Sequence, residues 1–315
     1  MPSSPSFPDP VRKVKQPRHR RLAKGTPYRY LLHVPTHAQS RVGRAVPPAA
    51  TPRARGSLGQ FVDDLQSRGR YVFRRDEALR ALETSDVALK LAAHRLAAKG
   101  RLAMPRRGFF VIVPLEYRAA GAPPATWFVD DLMAFHEAPY YVGLLSAAAL
   151  HGAAHQQPQE LQVVSSVQLR KATAGRVRLR FFLKRDTSET PTGAHKTETG
   201  TMRVSTPEAT AFDLVRYERS VGGLGAVATV LGELAERIEP VRLVAAAKAD
   251  GELSVVQRTG YLLDHVGSKK KTDALSRWLA EKRPRAALLR AGGPREGLTD
   301  ARWSIVANET IELDE

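Results

Sequence analysis

Six side chains in the first third of the sequence carry the hydrogen-bond donors needed to hold a nucleic acid duplex. They are Ser85, Lys90, His94, Arg95, Arg106 and Arg107. Arginine and lysine donate to phosphate oxygens and to guanine, and a serine hydroxyl or a histidine ring nitrogen can donate to either kind of acceptor. Ser85 has an alternative role as a helix cap, since an apolar helical pattern follows it. The six residues predict a DNA-contacting surface, provided that the fold brings them together.

Three helices are predicted to position these side chains. The first begins after Ser57, a favourable N-cap, and ends near Gly69. The second covers residues 74–82, and the third covers 87–99 and ends at Gly100, which suits a helix C-terminus. The positions predicted to face the core are Ala78, Leu79 and Leu82 in the second helix and Leu89, Ala92, Ala93 and Leu96 in the third. The basic side chains of the third helix then lie on its other side.

A basic hairpin is predicted after the third helix. Residues 101–104 and 109–113 form two short strands, and Pro105-Arg106-Arg107-Gly108 connects them. With a brief strand at 71–73, this is the order of a winged helix-turn-helix, whose last helix enters the major groove while the wing contacts the backbone or minor groove. We therefore predict a DNA-binding domain over residues 57–113. A helical packing domain with a basic surface is the alternative.

Positive charge is concentrated in the same part of the chain. The 315 residues carry a net charge of +17. Residues 1–56 hold twelve basic and one acidic side chain, residues 57–113 eleven and six, and residues 114–315 twenty-six and twenty-five. Only the first two blocks therefore have the charge expected of a polyanion-binding surface. No stretch reaches the roughly 20 apolar residues of a membrane helix, and the absence of cysteine suits the reducing cytoplasm.

Residues 1–56 are predicted to form a disordered basic tail. They contain ten prolines and few large apolar residues, a composition that prevents helices and supports no core. Two other interpretations are open: the acid-poor composition faintly resembles an organelle transit peptide, and an upstream start codon in GC-rich DNA would produce the same kind of segment. If the tail is translated, we expect a solvated arm that adds non-specific DNA affinity.

A second unit is predicted over residues 127–315, after a linker at 114–126 that contains Gly121-Ala122-Pro123-Pro124. Thr206 is a predicted helix cap, with Pro207 in the first turn. The predicted helices cover residues 127–135, 141–150, 207–219, 224–238, 241–249 and 255–266, and the predicted strands cover 160–165, 176–183 and 201–205. The fold class is therefore predicted as α+β, a winged helix-turn-helix followed by a mixed α/β domain.

Four segments of the second unit resemble one known family. They are YYVGLLSAAALHGAAHQQPQELQVVSS from Tyr140, RVRLRFF from Arg176, VSTPEATAFDLVRY from Val204 and RWSIVANETIELDE from Arg302. In this order, behind a winged helix, they are similar to the AbiEi-type antitoxins, the transcriptional-regulator halves of type IV (abortive infection) toxin–antitoxin systems. The resemblance runs from about residue 57 to the C-terminus and leaves the basic tail outside.

This resemblance implies a repressor and antitoxin without catalytic residues. Its winged helix would bind inverted repeats in the promoter of its own operon, through the third helix and wing that hold the six residues named at the outset. Its C-terminal domain would counter a nucleotidyltransferase-type toxin, and the family does not require a stable complex with that toxin. No cofactor and no membrane are implied.

Other candidate chemistry is weaker. His151 and His155 have the spacing of zinc ligands on a helix, but no glutamate is adjacent, and we favour a structural His151 with a ring nitrogen bonded to backbone. Glu160 with Lys171 or Lys184 keeps open the alternative of a metal-dependent nuclease with a DNA-targeting winged helix. The run Lys269–Lys271 is predicted to be a solvated loop, with a second phosphate contact as the alternative. We therefore expect that the protein is not an enzyme and has no metal site.

Overall fold

A computed structural model describes residues 56–153 and 158–312 of the chain. The predicted tail lies outside the described residues except for Gly56, and so does His155. Within the described ranges, no helix is long and apolar enough to cross a membrane.

The N-terminal module has the predicted winged-helix order. Its elements are α1 (Leu58–Ser67), β1 (Val72–Arg74), α2 (Arg75–Leu82), α3 (Asp86–Ala98), β2 (Leu102–Arg106) and β3 (Phe109–Ile112). The Ser57 hydroxyl accepts from the Gln60 amide, and the Gln60 side chain accepts from the Ser57 amide, which closes a capping box at the start of α1. Gly100 has a φ of +65° and ends α3 as predicted.

The core of this module forms where the three helices meet the small sheet. Leu89 and Ala93 are buried, as predicted, whereas Ala92 and Leu96 are half-buried at the edge of the core. The rings of Phe73 and Phe110 stack with their centroids 4.9 Å apart. The sheet has the order β1-β3-β2, with β3 antiparallel to both neighbours. Helix α3 and the wing therefore pack against the same hydrophobic core.

The second domain is built on a six-stranded mixed sheet with the order β6-β7-β5-β4-β9-β8. Its strands are β4 (Tyr140–Val142), β5 (Leu161–Ser165), β6 (Ala172–Ala174), β7 (Val177–Leu183), β8 (Thr192–Thr197) and β9 (Gly200–Ser205). Its helices are α4 (Val129–Phe135), α5 (Leu144–Leu150), α6 (Pro207–Arg216), α7 (Glu218–Val221), α8 (Leu224–Leu234), α9 (Pro240–Asp250), α10 (Leu253–His265) and α11 (Lys269–Glu281). A small sheet follows, with β10 (Ala287–Leu288), β11 (Leu298–Asp300) and β12 (Ile305–Ala307).

Two predictions for the second domain were wrong. The predicted helix at 141–150 begins as strand β4, and only Leu144–Leu150 is helical, because Gly143 is extended and packs too tightly against Val164 for a side chain. The predicted loop Lys269–Lys271 is the first turn of α11, and the Lys271 ammonium donates to the carbonyls of Ala235 and Glu236, which follow α8. Strands β6 and β8 were not predicted.

Opposite faces of the six-stranded sheet pack against different partners. Tyr141, Val164 and Phe182 face a core made with α5, α6 and the later helices. Their sequence neighbours face a second core, which also contains α4 and two residues of the wing. This alternation follows from the two-residue period of a strand.

Strand β3 belongs to both domains. Phe110 and Ile112 pack in the core of the winged helix, whereas Phe109 and Val111 pack in the second core of the large sheet. All four residues are buried. The winged helix is therefore anchored to the second domain through its wing.

The segment 114–126, predicted as a linker, is packed against the second domain. Ala122 and Ala125 are buried, and the Ala120 carbonyl accepts from the Arg176 amide. Gly121 and Gly175, both with positive φ, approach so closely that a Cβ on either would meet the backbone of the other. Glycine is therefore required at both positions, because the two backbones leave no space for a Cβ atom.

Candidate nucleic-acid interface

Helix α3 presents its basic side chains to solvent. Leu89 and Ala93 are the buried residues of this helix, and Lys90, His94 and Arg95 are exposed. Lys90 and His94 are one helical turn apart and share a face, whereas Arg95 lies about 140° further round the helix axis than Lys90. The exposed part of α3 is thus wide enough to offer donors on two sides.

A groove of about 480 Å³ separates α3 from the wing. Its floor is apolar and includes Leu89 and Phe110. Three of the six predicted residues line it: Lys90, His94 and Arg107. The fold thus brings side chains from the helix and from the wing tip, thirteen or more positions apart in sequence, to one concave surface.

Ion pairs in the winged helix leave a particular set of cations unpaired. Five of its acidic side chains pair with five arginines. The pairs are Asp64–Arg68, Glu77–Arg70, Asp86–Arg75, Asp76–Arg80 and Asp63–Arg101. The other six cations of the module have no ion pair among the described residues. Arg74 and Arg106 lie over aromatic rings of the second domain, and the remaining four are Lys90, Arg95, Lys99 and Arg107. Four of the six unpaired cations therefore lie on or beside α3 and at the wing tip.

Asp86 is the acidic residue nearest to this surface, at the start of α3. The Arg75 guanidinium donates to its carboxylate at 2.5 Å. That hydrogen bond lowers the pKa of Asp86, and the charges of Arg107 and Lys90 lower it further. Asp86 is therefore ionised at neutral pH, but its charge is matched by Arg75 at the edge of the groove.

Arg106 is engaged elsewhere. Its guanidinium donates to the backbone carbonyls of Arg170 and Lys171, the latter at 3.0 Å, and lies over the ring of Phe181 at 5.6 Å. All three partners belong to the second domain. The wing strand β2 thus holds one arginine against that domain, and its neighbour Arg107 is exposed.

Ser85 is the N-cap of α3. Its hydroxyl oxygen accepts from the Ala88 amide at 3.3 Å, which is the capping role considered from the sequence. The hydroxyl hydrogen is a separate donor and remains compatible with a phosphate contact.

Sequence reasoning missed three exposed residues of α3. Lys99, the C-cap residue of α3, adds a further exposed cation beside Lys90, Arg95 and Arg107, and Val87 and Leu91 are 68% and 55% exposed on the outward face. The sequence pattern could have identified the two apolar residues as exposed, because neither lies on the face of the helix that was predicted to pack in the core.

The residues considered for other chemistry have structural contacts. His151 ends α5, and its Nε2–H donates to the Ser205 carbonyl at 2.7 Å, as predicted. Burial lowers the pKa of this histidine. Glu160 accepts from Lys171 at 3.4 Å, while Lys184 is buried between Asp213 and Asp250. Over the described ranges, no three His, Asp or Glu side chains are grouped so that they could hold a metal ion.

Two family models match separate parts of the chain. Residues 60–113 match a family model described as "Transcriptional regulator, AbiEi antitoxin", and residues 141–265 match one described as "AbiEi antitoxin C-terminal domain". The fold is similar to the crystal structure of the RV2827C protein from Mycobacterium tuberculosis, with a TM-score of 0.57 and 17% identity over 82% of this chain and 94% of that one. No curated protein sequence matches the chain.

Proposed function

Since this chain belongs to the AbiEi-type antitoxins, a family of transcriptional regulators, we propose that it represses its own operon by covering promoter DNA with α3 and the wing. The observation that carries the proposal is the separation of charge in the winged helix. Five acids are each neutralised by an arginine, including Asp86 at the start of α3, and the unpaired Lys90, Arg95, Lys99 and Arg107 surround the element that would enter the major groove. Counterions released from phosphates by these cations would supply the affinity.

The target of this proposal is duplex DNA with inverted repeats upstream of the protein's own gene. His94 and Arg95 are proposed to face base edges, and Lys90, Arg107 and the Ser85 hydroxyl to contact phosphates or bases beside them. The C-terminal domain is proposed to counter a nucleotidyltransferase-type toxin encoded in the same operon, with or without a stable complex. Both activities belong to the cytoplasm, which suits a chain without cysteine.

We further propose that the protein acts by occupancy and not by catalysis. Binding to the fragment upstream of its gene should survive EDTA, and the fragment should stay intact when Mg²⁺ or Mn²⁺ is added. Cleavage with either metal would replace this proposal with a metal-dependent nuclease that carries a DNA-targeting winged helix.

The salt dependence of binding tests the proposed surface. Gel shifts of the upstream fragment at several salt concentrations should show log affinity falling against log salt by roughly 0.9 for each phosphate contacted. Replacing Lys90 and Arg107 together with alanine should reduce that slope by roughly two units, because both side chains are proposed to contact phosphates. Arg68→Ala is the matched control, because Arg68 is paired with Asp64 on α1, and it should leave the slope unchanged. An unchanged slope in the double variant would contradict the proposal.

A further inference from the structure

The outward face of α3 carries an apolar stripe. Val87 and Leu91 are one helical turn apart and are 68% and 55% exposed. Together with Ala98 they lie roughly opposite the core positions Leu89 and Ala93. These two large apolar side chains are therefore at the part of the helix that would enter deepest into a groove.

Cations border this stripe on both sides. At 100° per residue, Lys90 lies on one flank and Arg95 on the other, about 140° apart. Lys99 continues the basic flank towards the C-terminus of the helix. An occupant of the stripe must therefore combine an apolar feature in its centre with negative charge along both edges.

We propose that Val87 and Leu91 contact the C5-methyl groups of thymines in the major groove of the operator. This inference rests on the proposed function and adds to it the kind of base that α3 reads. The thymine methyl is the apolar group that the major groove exposes, and phosphates line both sides of that groove. A second copy of the chain fits the stripe less well, because it would bring its own four unpaired cations against these.

The spacing of the two side chains agrees with this assignment. Four residues of an α-helix span about 6 Å along its axis, and successive base pairs are separated by about 3.4 Å. Val87 and Leu91 therefore reach methyl groups about two base pairs apart. The operator is expected to contain thymines at two such positions, on either strand, in each sequence that α3 contacts.

Replacing thymine with deoxyuracil removes the methyl and retains every Watson–Crick hydrogen bond. The upstream fragment should be bound about ten- to twentyfold more tightly when it is prepared with thymine than with deoxyuracil throughout, since two buried methyl groups contribute about fourfold each. A scrambled fragment prepared in both forms measures the change that does not depend on sequence. Fluorescence anisotropy at one fixed salt concentration gives all four affinities.

The variant Val87→Ala/Leu91→Ala connects the effect to these side chains. It should bind the thymine fragment about tenfold more weakly than the parent protein and should no longer distinguish thymine from deoxyuracil. The matched control is Val241→Ala/Leu298→Ala, because those residues are 81% and 86% exposed in the second domain. It should keep the preference for thymine. Thermal melting checks that both variants are folded.

Three results would overturn the inference. If the parent protein binds both forms of the upstream fragment equally, the methyl groups are not read, although the proposed repressor function stands. If the alanine variant keeps the preference for thymine, other residues read the methyl groups. If the parent protein sediments as a dimer and the alanine variant as a monomer, with equal binding to both fragments, the stripe is an interface between copies. Absence of binding to either fragment would overturn the proposed function as well.

Discussion

Adjacent arginines in the wing have different surroundings. Arg106 donates to two carbonyls of the second domain and stacks on Phe181, so its donors are largely satisfied within the protein. Arg107 lines the groove beside α3 and has no ion pair among the described residues. Arg106 is the last residue of β2, whereas Arg107 is the first residue of the turn that follows. The side chain of Arg106 therefore lies against the second domain, and that of Arg107 is exposed at the tip of the wing.

This difference predicts separable effects of two substitutions. Arg107→Ala should reduce the salt slope of DNA binding by roughly one unit, because one phosphate contact is lost. Arg106→Ala should leave that slope unchanged and should instead lower the free energy of unfolding by about 1–3 kcal/mol, since two hydrogen bonds from a charged guanidinium to the second domain are lost. Gel shifts over a salt series and chemical denaturation measure the two quantities. A reduced salt slope in Arg106→Ala would show that this arginine leaves the second domain to contact DNA, as the sequence predicted.

Helix α10 packs against Trp303 at Gly260, a position where the lack of a side chain is required. A Cβ at Gly260 would lie 2.1–2.4 Å from ring carbons of Trp303. Trp303 is fully buried, and its Nε1–H donates to Asp264 at 2.8 Å. The C-terminal segment is thus attached to α10 at a position where only glycine fits.

Gly260→Ala should therefore destabilise the protein in spite of the better helix propensity of alanine. Overpacking of a core typically costs about 1–3 kcal/mol, and the contact distances here place the expected loss at the upper end, with a fall in Tm of several degrees. Gly193→Ala in strand β8 is the control, because a Cβ there meets nothing within 4 Å. Equal melting temperatures for the two variants would show that Trp303 is free to move away from α10.

The DNA-reading element and the second domain share one strand. Phe109 faces the second domain and Phe110 faces the winged helix, so neither core is complete without β3. This arrangement predicts that the described part of the chain unfolds as one cooperative unit and that α3 is held at a fixed orientation to the second domain.

Calorimetry of Phe109→Ala and Phe110→Ala tests this prediction. Each substitution should cost about 3–5 kcal/mol, and each should shift a single main transition, because the two cores are coupled through β3. If the winged helix unfolded by itself, Phe110→Ala would produce an early transition that Phe109→Ala does not. A separate early transition of that kind would contradict the shared-strand prediction.

Local patterns were sufficient to predict the helices and wing of the N-terminal module, most helices of the second domain and the distribution of charge along the sequence. Helix α3 is predicted by the spacing of its apolar residues, and its N-cap by the hydroxyl of Ser85. Both depend on interactions between residues a few positions apart, which can be read from the sequence. The resemblance to the AbiEi-type antitoxins, which the family models confirm, was also carried by contiguous segments.

Contacts between distant residues could not be predicted in this way. Strand β8 has a polar sequence with no apolar alternation and exists because it pairs with β9, and β4 replaced part of a predicted helix because it lies between β5 and β9. Arg106, which the sequence predicts as a DNA contact, donates to the carbonyl of Arg170, sixty-four positions away. Such pairings depend on which surfaces come into contact after the helices and strands have formed. The local periodicity of a sequence does not indicate these contacts.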